Sequence, residues 1–166
     1  MEEVTQHSIV RAGEEATKLW AFSSAQFPIN QRLIQLITTG IMLEAITTFA
    51  VNARRAMEML PGSKQFSLRQ PRWDWEPTKM NEVVHDLWDA LSRIIHAKEL
   101  QIGYEKLPPK ALSIESGSIV IPYVQARTDR KELSFIDPFA LAHAFLYDVL
   151  PLFVTEGKYP PQVHVD

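Results

Sequence analysis

Residues Asn81 to Leu100 read NEVVHDLWDALSRIIHAKEL, and their periodicity sets the fold class. Val83, Leu87, Ala90, Ile94 and Val84, Trp88, Leu91, Ile95 recur at helical spacing and cover one half of a cylinder. His85, Asp89, Ser92 and His96 fall at i, i+4, i+7 and i+11, within roughly 60° of one another at 100° per residue, and form a polar stripe on the other half. A helix over 78–98 is therefore expected. Two imidazoles, a carboxylate and a hydroxyl in one row suit several chemistries: a nuclease, a metal site, a partner surface or a solvated face.

Upstream, Ala12 to Ala25 has the pattern of a short amphipathic helix, with Glu14 and Glu15 near its positive end and Leu19, Trp20 and Phe22 as apolar anchors. From Asn30 to Leu60 the pattern is helical but its apolar face changes. Leu33, Ile37 and Ile41 mark one side, whereas Met42, Ile46, Phe49, Ala53, Met57 and Leu60 mark nearly the opposite one. Thr38-Thr39-Gly40 lies at the change, which predicts a kink, or two consecutive helices that contact different neighbours. Pro61-Gly62 ends the segment, and residues 61–77 carry three prolines and no period, the pattern of a long loop with one extended piece at 66–68.

Downstream, a short extended stretch is expected from Leu100 to Glu105. Ala111–Glu115, Ile119–Arg127 and Glu132–Ile136 are rich in Ile, Val, Tyr and Phe between polar turns, as in an antiparallel meander. Asp137-Pro138 is an N-cap followed by proline at the first helical position. It opens a helix to about Thr155 that is apolar nearly all round and should be buried. Within it, His143 and Asp148 are expected as buried, hydrogen-bonded groups, with Tyr147 the local partner of His143. Gly103, Gly117 and Gly157 stand alone and read as turns or caps, so no phosphate-cradling glycine loop is present.

The expected fold is α+β and mainly helical, one domain over 1–166. It comprises a helical bundle core within 12–98, a small β-meander within 100–136 and a C-terminal helix at 138–155. With 166 residues, 46% hydrophobic, the chain is long enough to bury a core. It has no cysteine, which excludes disulfides, zinc thiolates and thiol nucleophiles and fits a reducing, cytoplasmic setting. No stretch reaches the ~18 uninterrupted apolar residues of a membrane span, so no membrane association is expected. A net charge of -3 leaves any nucleic-acid binding to a local basic patch.

The segment Leu87–Ala97, with the long preceding helix that carries Arg54-Arg55, resembles a recurring helix of the HEPN superfamily of small prokaryotic helical proteins. There an amphipathic helix ends in an apolar pair, a His and a small residue. The resemblance implies a helical bundle that commonly dimerises. It also implies either a metal-independent RNase or a non-catalytic partner that binds nucleotide or protein in defence and toxin–antitoxin systems. This chain departs from the catalytic pattern, in which Arg precedes His by four to six intervening residues. Asp89, Ala90 and Leu91 occupy those positions, and only Arg93 stands near His96.

Taken from the residues alone, RNA cleavage would use His96 as general base on a 2′-hydroxyl, with Arg93 or Arg54/Arg55 holding the phosphate. Arg93 is equally placed to pair with Asp89 one turn earlier. A metal shared along the stripe fails on distance, because His85 and His96 are ~16 Å apart along the axis, and neither metal nor cofactor is expected. The stripe also suits a covered face, including a homodimer contact. In the loop, Arg69 and Arg72 alternate with Phe66, Trp73 and Trp75. That mix binds single strands, or, more plainly, uses the tryptophans to pin the loop on the helices. The leading expectation is a non-catalytic binding protein, homodimeric, with RNA or another protein as partner and an RNase as the alternative.

Overall fold

The computed structural model describes residues 2–62, 65–72, 82–107, 117–155 and 157. The architecture is α+β and mainly helical, as expected. Helix α1 runs over Glu2–Ser24, ten residues earlier than the apolar period indicates. Its first turns are polar outside, but Ser8 and Ile9 already face the core and continue into Ala12, Ala16 and Leu19, all buried. Small residues at this spacing let α1 lie close against α2, Arg32–Met57. The short connection between them holds strand β1, Phe27–Pro28.

Helix α2 is continuous through Gly40, so the segment does not divide into two consecutive helices there. The hydroxyls of Thr38 and Thr39 donate to the carbonyls of Ile34 and Gln35, both at 2.8 Å, and satisfy themselves within the helix. The core face is the one the period marks: Met42, Ile46, Phe49, Ala53 and Met57 are fully buried. The opposite apolar side is left open among the described residues, and Leu33 and Ile37 stand in solvent.

The largest departure concerns the stretch at 78–98. Helix α3 covers only Leu87–Ile95, and 78–81 lie outside the described residues. Val83 forms a bridge with Phe135 and Asp86 one with Ser67, so the β-branched pair Val83-Val84 is used as extended chain. The Asp86 side chain then accepts from the Asp89 amide at 2.8 Å and starts the helix. His85 thus precedes the helix, and His96 is its C-cap residue. The extended piece at 66–68 is present and pairs with this lead-in through Leu68 N–H to His85 O and Leu87 N–H to Phe66 O.

Among the described residues six short strands form two antiparallel sheets in place of one meander. Strands β2 (Glu99–Ile102) and β3 (Glu105–Lys106) pair with β5 (Val124–Arg127) and β4 (Ser118–Val120) respectively. Ile102 faces Val124 and Glu105 faces Val120, so two residues oppose three, and the extra one is Pro122. Proline has no N–H to lose at a bulge, and there the stretch at 119–127 bends from one sheet into the other. Gly103 is no turn: it packs under the Tyr123 ring, where a Cβ would come within 2.1 Å. Strand β6, Ser134–Ile136, completes the β2-β5-β6 sheet, and β1 the β1-β4-β3 sheet. Residues 111–115, expected as a strand, lie outside the described residues.

The last helix starts as expected at Asp137-Pro138, with α4 over Pro138–Ala144 and α5 over Leu150–Thr155. Between them Phe145–Val149 forms a π-helical turn, in which the Leu150 N–H bonds to Phe145 O. Pro151 accounts for it: a proline clashes with the carbonyl four residues before it, here Tyr147, and widening the turn relieves the clash. Phe145 meets Phe49 edge to face at 5.6 Å in the centre of the core. Burial is one-sided rather than all round, because Tyr147, Leu152 and Val154 are exposed, as is Asp148. His143 is half-buried, and Tyr147 stacks on it at 4.5 Å rather than bonding to it. By length and composition both Arg32–Met57 and Pro138–Thr155 reach what a membrane span needs, and each gives one face to this core.

Candidate functional site

Helix α3 is anchored by Leu87, Leu91 and Ile94 in the core, which aims Asp89, Ser92 and Arg93 outward. The acidic residue in its first turn and the basic one in its last both complement the helix dipole. The two meet as an i, i+4 pair with two contacts, Nε to Oδ1 and Nη2 to Oδ2, each 3.1 Å. This pair is a ridge between two adjoining open clefts. The smaller, about 380 Å³, has His85 and Asp86 on one wall and Lys131 to Ser134 on the other. The larger, about 700 Å³, holds Ser92, His96 and Lys98 opposite the β5–β6 turn at 128–131.

Of the stripe read from the sequence, Asp89, Ser92, Arg93 and His96 do share one cleft, while His85 opens on the other. The His96 side chain is exposed and makes no hydrogen bond among the described residues; only its backbone N–H bonds, to Ser92 O at 3.0 Å. Arg54 reaches this region from behind. It donates to Ser92 Oγ at 3.0 Å, lies 4.7 Å over the Trp88 ring and is 3.8 Å from Glu58, so it fastens α2 to α3. Arg55 is exposed on the outer side of α2, away from the clefts. The periodicity missed Lys98, which lies between α3 and β2, and Arg130 and Lys131, which arrive on the turn after β5. The Thr128-Asp129-Arg130 tripeptide announces a turn but not the helix it folds over. Lys98 pairs with Asp129 at 3.5 Å.

Arg69 and Arg72 belong to a separate cluster. Arg72 sits 3.4 Å over the Phe139 ring and donates to Ser23 O at 2.9 Å, and Arg69 lies 5.3 Å over the same ring. Trp20 packs on Phe139 at 4.4 Å, so the arginines tie the loop to α1 and α4. Trp73 lies outside the described residues. Beneath this cluster the Asp137 carboxyl is pushed up by burial, opposed by the amides of Phe139 and Ala140 and by the Arg72 guanidinium, whose own pKa burial lowers. Asp137 Oδ1 accepts from Phe139 N–H at 2.8 Å and is the helix cap. This cluster is built for attachment: its charged groups are spent on backbone, ring faces and each other.

Among the described residues no group of three or more His, Asp or Glu stands close enough to hold a metal ion. Comparison of the chain with protein-family models, curated proteins and solved structures found no match.

Proposed function

We propose that this protein works by binding and not by cleaving RNA, as a regulatory module of the kind found among non-catalytic HEPN-like proteins of defence or toxin–antitoxin systems. The observation that carries this reading is the two-point pairing of Arg93 with Asp89. A guanidinium grips a phosphate best through its bidentate Nε/Nη2 edge, and here a carboxylate one turn earlier takes that edge and leaves only the Nη1 end. No acceptor among the described residues orients the His96 imidazole, as a positioned general base needs. What the larger cleft offers is an edge of Lys98, Arg130 and Lys131, with Asp129 beside them and Asp89 taken up by Arg93. An anionic partner fits that edge.

The test is incubation of the full chain with structured and single-stranded RNAs. Equal, intact RNA after treatment with wild type and His96→Ala supports the binding reading. Cleavage by wild type that is lost in a normally folded His96→Ala variant overturns it. Binding is read separately, as a loss of affinity for anionic ligands of about tenfold in an Arg130→Glu/Lys131→Glu variant.

A further inference from the structure

The first two turns of α2 carry the most exposed apolar surface of the described residues. Leu33 is 74% exposed, Leu36 65% and Ile37 64%. Isolated exposed leucines are ordinary, but a contiguous group on one helix face marks a contact surface. The stripe continues through Gly40, Glu44, Thr47 and Val51, all exposed, and its steps alternate between four and three residues. That is the spacing of a helix seam that packs on another helix. At Gly40 an added Cβ would meet nothing within 4 Å, so the stripe has an open notch.

We propose that this face of α2 is the two-fold contact of a homodimer in which the α2 helices of two copies cross antiparallel, centred midway between Ile37 and Gly40. The stripe is complementary to itself about that centre. Ile37 of each copy lies opposite the Gly40 notch of the other, a large side chain against a vacant one. Leu33 lies opposite Glu44, which brings Arg32 of one copy beside Glu44 of the other, twice by symmetry. Both are exposed, and neither has an ion-pair partner among the described residues. An open groove lined by Ile29, Leu36, Tyr104 and Ile119 flanks the stripe and extends the apolar contact. The acidic Glu44 within the stripe sets it against an anionic bilayer as the alternative occupant. This contact is independent of the α3 clefts, so RNA assays and assembly assays fail separately.

Sedimentation equilibrium of the full chain tests it, with a dimer of twice the 19.0 kDa chain mass expected at micromolar concentration. Ile37→Glu should raise the dissociation constant by about 30-fold or more and leave the melting temperature of the monomer, read on samples diluted below the dissociation constant, unchanged. Gly40→Leu separates assembly from folding: it should raise the melting temperature of the monomer, since Gly is the poorer helix former, while it blocks the dimer. Glu44→Arg should weaken the dimer by about tenfold, and Arg32→Glu added to it should restore assembly. A wild type that stays monomeric to about 200 μM, an Ile37→Glu variant that still dimerises, or a double charge swap that restores nothing overturns the proposal. So does flotation of monomeric wild type on anionic vesicles, which would assign the face to lipid.

Discussion

The α1–α2–α4 layer and the α3 clefts are held by different forces. In the helical layer stability comes from burial: Phe49, Ile46 and Leu19 are fully enclosed and Phe49 meets Phe145 edge to face. Around α3 the elements are short, a nine-residue helix between extended segments; Leu87, Leu91 and Ile94 anchor its inner face in the same core, but its cleft side and the strands beside it are fixed locally, by a cap at Asp86, a bulge at Pro122, a ring over Gly103 and the Asp89–Arg93 pair. A burial-held region tolerates pH and salt but not truncation. A region held by caps and pairs loses little from any one change, and it can rearrange around a partner because no single contact carries it.

The sharpest test of the contrast is Phe49→Ala, which removes a fully buried ring from the helical layer and should cost about 3–5 kcal/mol, read as a shift in the urea midpoint with unchanged m. A cost below about 1 kcal/mol would mean that the layer is not the burial-held half. Gly103→Ala comes next, at about 1–3 kcal/mol. The new methyl must displace Tyr123, whose hydroxyl is bonded to Glu105. Asp86→Ala leaves the first amides of α3 without their acceptor and should cost about 1 kcal/mol, with Asp86→Asn close to wild type. If both Asp86 variants matched wild type, the cap would not be what starts α3.

Asp137 links the two regions, and it behaves through pH. Burial raises its carboxyl pKa above the ordinary value, so the native state holds this proton more tightly than the unfolded chain does. Its contribution is therefore most favourable below the unfolded carboxyl pKa near ~3.9. It is lost as pH rises from there through the raised native value. Asp137→Asn keeps an oxygen to accept from the Phe139 amide and has no charge to bury. Wild type should lose stability relative to this variant as pH is raised from about 4 towards neutrality. Parallel stability curves for the two proteins over that range would show that Asp137 is not the group responsible.

The buried half was largely legible in the sequence because burial leaves a period. Met42, Ile46, Phe49, Ala53 and Met57 are the core face they were read to be, and Asp137-Pro138 starts a helix as its chemistry requires. The start of α1 was not legible, since its first turns are polar and Ile9 alone announces the core. Around α3 the same apolar period misled: Val83 and Val84 keep helical spacing with Leu87 but are spent on a bridge to Phe135. A period says which residues are apolar, not what covers them, and Leu33 and Ile37 are left exposed. Of the candidate site, the Asp89–Arg93 pair was visible as an i, i+4 spacing. Arg130 and Lys131 were not, because only the β5–β6 turn brings them to α3, and Lys98 lies past the end of the helix whose period is read.

The smallest expected effect bears most directly on what the clefts do. Arg93 is mostly covered and Asp89 partly exposed, with side-chain exposures of 19% and 42%, so their attraction is screened and worth about 1 kcal/mol or less to stability. Asp89→Asn should accordingly shift the melting temperature by only a few degrees, and by less in high salt. It also frees the guanidinium fork of Arg93 beside His96. If the pairing is what withholds Arg93 from a phosphate, Asp89→Asn should bind anionic ligands several-fold more tightly than wild type, and Arg93→Gln should abolish that gain. Unchanged affinity in Asp89→Asn would mean that the pair does not gate the cleft, and that Lys98, Arg130 and Lys131 alone set what it attracts.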